Sequence, residues 1–329
     1  MPVRRLTLLL TFAGIATPNL AQSVTINPKQ LPLGDGKYTT TAPAVGWIYA
    51  CRAGMNGPSA DGSTPWIDEQ THTFDLTAKP SVQGHVDWPQ HKYTIQLEGS
   101  TRRILTNDLP DHATGNFPIS PSDPAFTHDR NLNHIAEQTL VYALPTDPTV
   151  NAQPACLGGG PIGFLLSGVV IFNGLDAGGR DAVAHEMQDS CQGHPQQESE
   201  YHYHNLTRCI PDPGTGHSNL LGYALDGFGI YGVRGEDGRE LTNADLDICH
   251  GHTHPIQWDG KTVVMYHYHA TREYPYTLGC FRGTPMRDHP KGPPGNHRGP
   301  PPDGVPPYPT AWLQQDNELL SHMDELPAC

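Results

Sequence analysis

Apolar and polar residues change rhythm along this chain. From residue 24 to 150, short apolar runs such as VGWIYAC, KYTIQL, RRILTNDLP and LVYALP alternate with turn clusters. That pattern predicts short strands or irregular β structure. Beyond Cys156 the runs lengthen. LGGGPIGFLLSGVVIFNGLDAGG predicts buried strands broken by glycines, and HSNLLGYALDGFGIYGVRG predicts strand, tight turn, strand. GRDAVAHEMQDSC is a short helix candidate, and Thr242 is the expected N-cap of another in LTNADLDICHG. The expected fold class is mainly β, sandwich or barrel-like and disulfide-stapled, with a few short helices.

Within 151–285 a unit recurs. CQGHPQQESEYHYHNLTRC and CHGHTHPIQWDGKTVVMYHYHATREYPYTLGC each begin Cys-x-Gly-His, reach Tyr-His-Tyr-His and close on a Cys. Successive strand side chains point to opposite faces, so both histidines of each copy share one face and both tyrosines the other. His-x-His on a strand sets two imidazoles roughly 7 Å apart at Cα, able to converge on one ion. This makes His202, His204, His267 and His269 the leading metal ligands, with His194 and His252 next.

The second copy allows a register. Asp259-Gly260 separates two strand-like runs, and Asp-Gly favours a two-residue type I′ hairpin turn. Trp258 then pairs with Lys261, His252 with His267, His250 with His269, and His254 with Met265, so five imidazoles crowd one face. Pro255 is the weak point, since it belongs on an edge strand or at a bulge that would shift the register.

Other residues carry weaker signals. Asp181, His185 and Asp189 fall at i, i+4, i+8 of the helix candidate, one face that could feed a metal or orient a ligand histidine. Asp226 and Asp176 sit beside glycine turns as possible ligands, hydrogen-bond acceptors or turn residues. Asp226, His185 and Glu186 are the candidate acids or bases if there is turnover. Gly260…His267-x-His269-x3-Glu273 approximates a cupin metal pattern. Cys191 with His194 and Cys249 with His252 allow a mixed Cys/His site, which an oxidising compartment disfavours. Asn205 opens an N-x-T sequon.

The N-terminus is polar and basic, then apolar from Leu6 to Ile15, then small, which predicts a secretory signal peptide over 1–21 cleaved near Ala21. The run is too short to span a bilayer, and a secreted or periplasmic protein without membrane insertion is expected. Seven cysteines then read as disulfides: Cys191–Cys209 and Cys249–Cys280 around the two repeats, Cys51–Cys156 as the remaining pair, and Cys329 left over. Losing Arg4 and Arg5 takes the formal charge from −14 to −16, which argues against nucleic acid and suits cations. Gly and Pro make up about a fifth of the chain (35 and 33 of 329 residues), which favours strands and loops over helix. Residues 286–329 read as a Pro/Gly-rich tail with a short C-terminal helix at TAWLQQDNELLSHMDEL.

The segment from VIFNGLDAGGRDAVAHE through both Tyr-His-Tyr-His motifs, their flanking Cys pairs and LDGFGIYG closely resembles the YHYH-domain family, over roughly residues 160–285. The resemblance implies a secreted protein and carries over no catalytic residue. Three functions follow from the residues: a metal binder, copper favoured over zinc; a metal-dependent extracellular enzyme, a copper oxidoreductase or zinc hydrolase; or a structural or adhesive module without metal. The repeats could each hold an ion or share one.

Overall fold

A computed structural model describes residues 26–52, 59–60 and 62–286. The expected signal peptide, Cys329 and the C-terminal helix lie outside the described residues. The protein is mainly β. Five two-residue strands come first: β1 Leu31–Pro32, β2 Tyr38–Thr39, β3 Ile48–Tyr49, β4 Ile67–Asp68 and β5 Thr73–Phe74. A three-stranded antiparallel sheet follows, of β6 Tyr93–Glu98, β7 Thr101–Thr106 and β8 Leu140–Pro145. Eight strands build the large sheet: β9 Pro161–Leu165, β10 Val170–Phe172, β11 Gly193–Pro195, β12 Tyr201–Tyr203, β13 Leu220–Ala224, β14 Gly229–Tyr231, β15 Gly251–Trp258 and β16 Lys261–His269.

Its order is β11-β12-β10-β9-β13-β14-β16-β15. Outward from the central antiparallel β9–β13 pair, each side repeats the same plan. A hairpin (β9–β10, β13–β14) pairs in parallel with a YHYH strand (β12, β16), which carries an antiparallel outer strand (β11, β15). The duplicated motif is therefore part of a duplicated four-stranded unit. The inner strands are buried almost throughout, so their sequences lack alternation. Outer β15 alternates buried and exposed positions from Thr253 onward.

The β15–β16 register runs unbroken from Gly251↔Tyr268 through His252↔His267 and His254↔Met265 to Trp258↔Lys261. Asp259 and Gly260 both take positive φ, as the type I′ turn requires. Pro255 causes no bulge, because β15 is an edge strand and its missing N–H costs no ladder bond.

Register also fixes which face each side chain takes. His202 lies opposite Val170, Val170 opposite Phe164, Phe164 opposite Tyr223, and Tyr223 opposite Gly229. Ile230 lies opposite Tyr268, so Gly229 and His267 share a face. Both histidine pairs thus face one side of the sheet and the YHYH tyrosines the other. The three-stranded sheet packs on the middle of the histidine face: Tyr93 and Tyr142 meet Phe164 at 5.4 and 6.2 Å. The buried Arg102 guanidinium lies 4.3 Å over Tyr223 and 4.9 Å over Trp258, and it donates to both carboxylate oxygens of Asp259 at the hairpin turn. One core cluster holds residues from Leu31 to Phe281.

All three expected disulfides form: Cys51–Cys156, Cys191–Cys209 and Cys249–Cys280. Their sulfurs are therefore spent, which overturns the mixed Cys/His site. The helix expectation is corrected too. α1 spans only Ala182–His185, capped by Asp181, and Glu186 is already extended. Asp189 falls beyond it, so Asp181, His185 and Asp189 share no helix face. Near Thr242 the helix is a 3₁₀ turn, Asn243–Asp245, where the Asp245 carboxylate accepts from the Thr242 N–H and hydroxyl.

On the tyrosine face the two units match atom for atom. Asp189 Oδ1 accepts from the N–H groups of Cys191 and Gly193 and from the Tyr201 hydroxyl; Asp247 Oδ1 accepts from Cys249, Gly251 and Tyr266. A Cβ at Gly193 would sit 2.3 Å from the Tyr201 ring, and one at Gly251 2.4 Å from the Tyr266 hydroxyl and the His267 carbonyl. Gly193→Ala and Gly251→Ala should therefore each destabilise the fold by about 1–3 kcal/mol through overpacking. Thermal unfolding followed by circular dichroism checks this; unchanged melting in both would refute the close approach.

Candidate metal centres

The first centre gathers His194, His202 and His204. His194 sits directly across the β11–β12 ladder from His202, and the alternation of β12 carries His204 to the same face. All three are buried. The Nε2 atoms of His202 and His204 stand 3.1 Å apart. Glu186, just past α1, brings Oε2 to 3.3 Å from His194 Nε2 and 3.2 Å from His204 Nε2. That oxygen and His194 Nε2 are both buried without a hydrogen-bond partner.

The second centre gathers His217, His252, His254, His267 and His269, whose ligand atoms all lie within 4.8 Å of one another. His252, His254, His267 and His269 come from the hairpin. The Nε2 atoms of His217 and His269 stand 3.1 Å apart, and those of His252, His254 and His267 are buried without a hydrogen-bond partner. Five imidazoles do crowd one face, but the fifth is His217, not His250. His250 takes positive φ (76°), leaves the strand and bonds Thr271 Oγ1. Its match in the first unit, Gln192, has the same backbone conformation (φ 65°).

Protons on these rings follow from their partners. Nδ1 of His204 lies 2.6 Å from the Asn173 carbonyl, and Nδ1 of His269, at the matching place, 2.6 Å from the Gly232 carbonyl. His202, His267, His254 and His217 likewise direct Nδ1 at the carbonyls of Glu200, Met265, Pro255 and Ser218. A carbonyl only accepts, so Nδ1 carries the proton, and on a neutral ring Nε2 is a bare lone pair. Burial, then neighbouring histidine charge, holds His202 and His269 well below the ordinary histidine value. Burial takes His252 down to about 4 and His267 to about 3. At the His217–His269 pair, where both rings are held below the ordinary value, neutral rings therefore set lone pair against lone pair at 3.1 Å. A cation bound at about 2.0–2.1 Å from both nitrogens of such a pair would see them at a right angle or slightly wider. Imidazole sets of this kind suit zinc and copper.

At the first centre, burial would raise the Glu186 carboxyl, but His194 and His204 outweigh it and hold it well below the usual range. Burial would lower His194, and Glu186 outweighs that and raises it. Glu186 is thus an ionised carboxylate that makes His194 hold its proton more readily.

Five strand-to-strand steps separate β12 from β16. At about 4.8 Å per step the YHYH strands lie roughly 24 Å apart along the sheet, so the geometry gives two centres rather than one shared ion.

The remaining candidates lie elsewhere. His185 Nε2 bonds Asp35 at 2.9 Å. Asp226 is buried on the tyrosine face, accepting from the Tyr268 hydroxyl and the Gly283 and Phe228 N–H groups. Asp176 holds Arg180 within its own turn. Glu273 accepts the Asn243 N–H, so the cupin-like pattern contributes no carboxylate to the second centre. Asn205 is buried and bonded to Gln192. Glu186 reaches the first centre, placed there as a ligand-like carboxylate. The sequence reading missed His217: its match by strand spacing is Gly158, so the repeat gave no signal for it.

A family model described as YHYH protein matches residues 141–242. The chain carries a YHYH domain. The match covers the first YHYH unit and the β13–β14 hairpin of the second, and it ends before the second YHYH at 266–269. No curated protein and no solved structure matches the chain. No helix among the described residues is long and apolar enough to cross a membrane.

The buried Asp226 of the YHYH domain gives a pH prediction. Burial lifts its carboxyl from 3.8 to about 6, against the pull of Tyr268 and two N–H donors. A raised folded value contributes stability that is complete below the unfolded value and is lost as pH rises through about 6, on the order of 3 kcal/mol. Denaturant unfolding between pH 4 and 7 should show this decline, and Asp226→Asn should flatten it by about one proton's worth. An equal slope in both proteins would contradict it.

Proposed function

We propose that this YHYH protein is a secreted or periplasmic metal-binding protein with two imidazole centres, copper favoured over zinc. The observation that carries the reading is the convergence of buried Nε2 atoms, most of them on rings whose Nδ1 atoms face backbone carbonyls. Neutral imidazoles packed this way repel through their lone pairs, and a cation turns that repulsion into coordination. Three disulfides and the basic-apolar-small leader support an oxidising compartment.

A metal-dependent enzyme is the second reading. It is favoured by the half-buried His217 and His252, which leave one side of the second centre toward solvent, where a substrate could reach the ion. Neither Asp226 nor His185 is near enough to act there, and Glu186 belongs to the other centre.

Metal content by mass spectrometry, on protein secreted with its disulfides intact, tests the reading. Wild type should carry close to two ions. His202→Ala/His204→Ala and His267→Ala/His269→Ala should each lose one. Wild type that remains empty after dialysis against Cu(II) and Zn(II) would sink the proposal and leave the histidines as structural groups.

A further inference from the structure

The centres share three ring positions and differ in what else reaches the ion. His194, His202 and His204 of the first correspond to His252, His267 and His269 of the second. To these the first adds Glu186 Oε2. The matching stretch of the second unit is the Asn243–Asp245 turn, whose carboxylate is bound to Arg239 and Thr242. The second adds two more imidazoles, His217 and His254, instead. Glu236 stands behind His254, 3.2 Å from Nδ1, on the side away from the ion.

Enclosure differs as well. His194, His202 and His204 are 4, 2 and 3 % exposed, whereas His217 and His252 are only half-buried. The walls differ at one matched position. Phe172 stacks on His202 at 4.0 Å; its counterpart, Tyr231, meets His217 and His267 edge-on at 5.1 and 5.0 Å and donates its hydroxyl to the Gln257 carbonyl.

These differences select ions. A carboxylate is a hard, charged donor that favours a dication, and three nitrogens with one oxygen in an enclosed pocket complete a tetrahedral zinc set. Neutral imidazoles bring no charge to offset a dication's, so an all-imidazole set suits copper and can hold the monovalent Cu(I) as well as Cu(II). Five of them exceed what Cu(I) needs and are enough for a tetragonal Cu(II), so the set can accommodate both, and its open side permits exchange. We propose that the two centres hold different metals: the Glu186 centre a retained divalent cation of the zinc type, and the five-histidine centre exchangeable copper, as Cu(I) as well as Cu(II). This rests on the metal-binding reading and assigns ions within it.

The test uses the metal-free, disulfide-intact protein. It is incubated anaerobically with an excess of both Zn(II) and acetonitrile-stabilised Cu(I), freed of unbound metal and measured by mass spectrometry. One zinc and one copper per chain are expected. Glu186→Gln, which keeps the side chain's shape, should weaken zinc binding about 10–100-fold and leave copper in place, on the scale of ligand-environment changes in metal sites. His217→Asn, at a half-exposed position outside the strands, should do the reverse, read against a chromophoric Cu(I) chelator. Two ions of the same metal in wild type, or equal loss of both metals in Glu186→Gln, would overturn the assignment while metal binding stands. A wild type that takes up neither metal would overturn both.

Discussion

Backbone carbonyls decide which way the buried histidines face. Asn173 and Gly232 close the first hairpin of each unit, and each offers its carbonyl to the last histidine of the YHYH strand alongside. That bond commits the Nδ1 proton and aims the Nε2 lone pair across the strand toward its neighbours. Repeated at His202, His267, His254 and His217, it leaves two groups of Nε2 atoms pointing inward at low dielectric. Unsatisfied polar atoms of this kind are costly in an interior. A cation would satisfy several of them together.

The rest of the fold holds that arrangement rigid. The tyrosines on the opposite face are fixed by carboxylates: Tyr201 by the buried Asp189, Tyr266 by the partly exposed Asp247 and Tyr268 by the buried Asp226. The same Asp189 and Asp247 brace the turns that present His194 and His252. A strand whose two faces are both anchored has little freedom to slip, since a one-residue shift would exchange every histidine with a tyrosine. The three-stranded sheet covers the centre of the histidine face through Phe164 and Tyr223, and the two centres lie to either side of it. Each is thereby a local device of one unit, free to diverge from the other.

Much of this was legible in the residues. The Asp259-Gly260 turn and the alternation around it gave the hairpin register residue by residue, because turn type and period leave one solution once a buried face is demanded. The disulfides followed from the repeat and the compartment. What failed was nonlocal or conformational. His250 has the right parity for the site, yet a positive φ rotates it out, and only its match to Gln192 could have hinted at that. His217 stands alone in sequence and reaches the second centre only because β13 begins nearby and pairs two strands away from β16. Glu186 stands in the sequence only as a candidate acid or base within a helix candidate. Its approach to the first centre depends on that helix ending after one turn, a tertiary outcome that helical spacing does not express.

The most direct measurement is the protonation state of the rings themselves, by ¹⁵N NMR of metal-free, histidine-labelled protein at neutral pH. The account predicts that His204, His267 and His269 carry the proton on Nδ1, with Nε2 bare and its resonance displaced when Zn(II) or Cu(I) is added. Rings found with Nε2 protonated, or as imidazolium cations unchanged by metal, would contradict it.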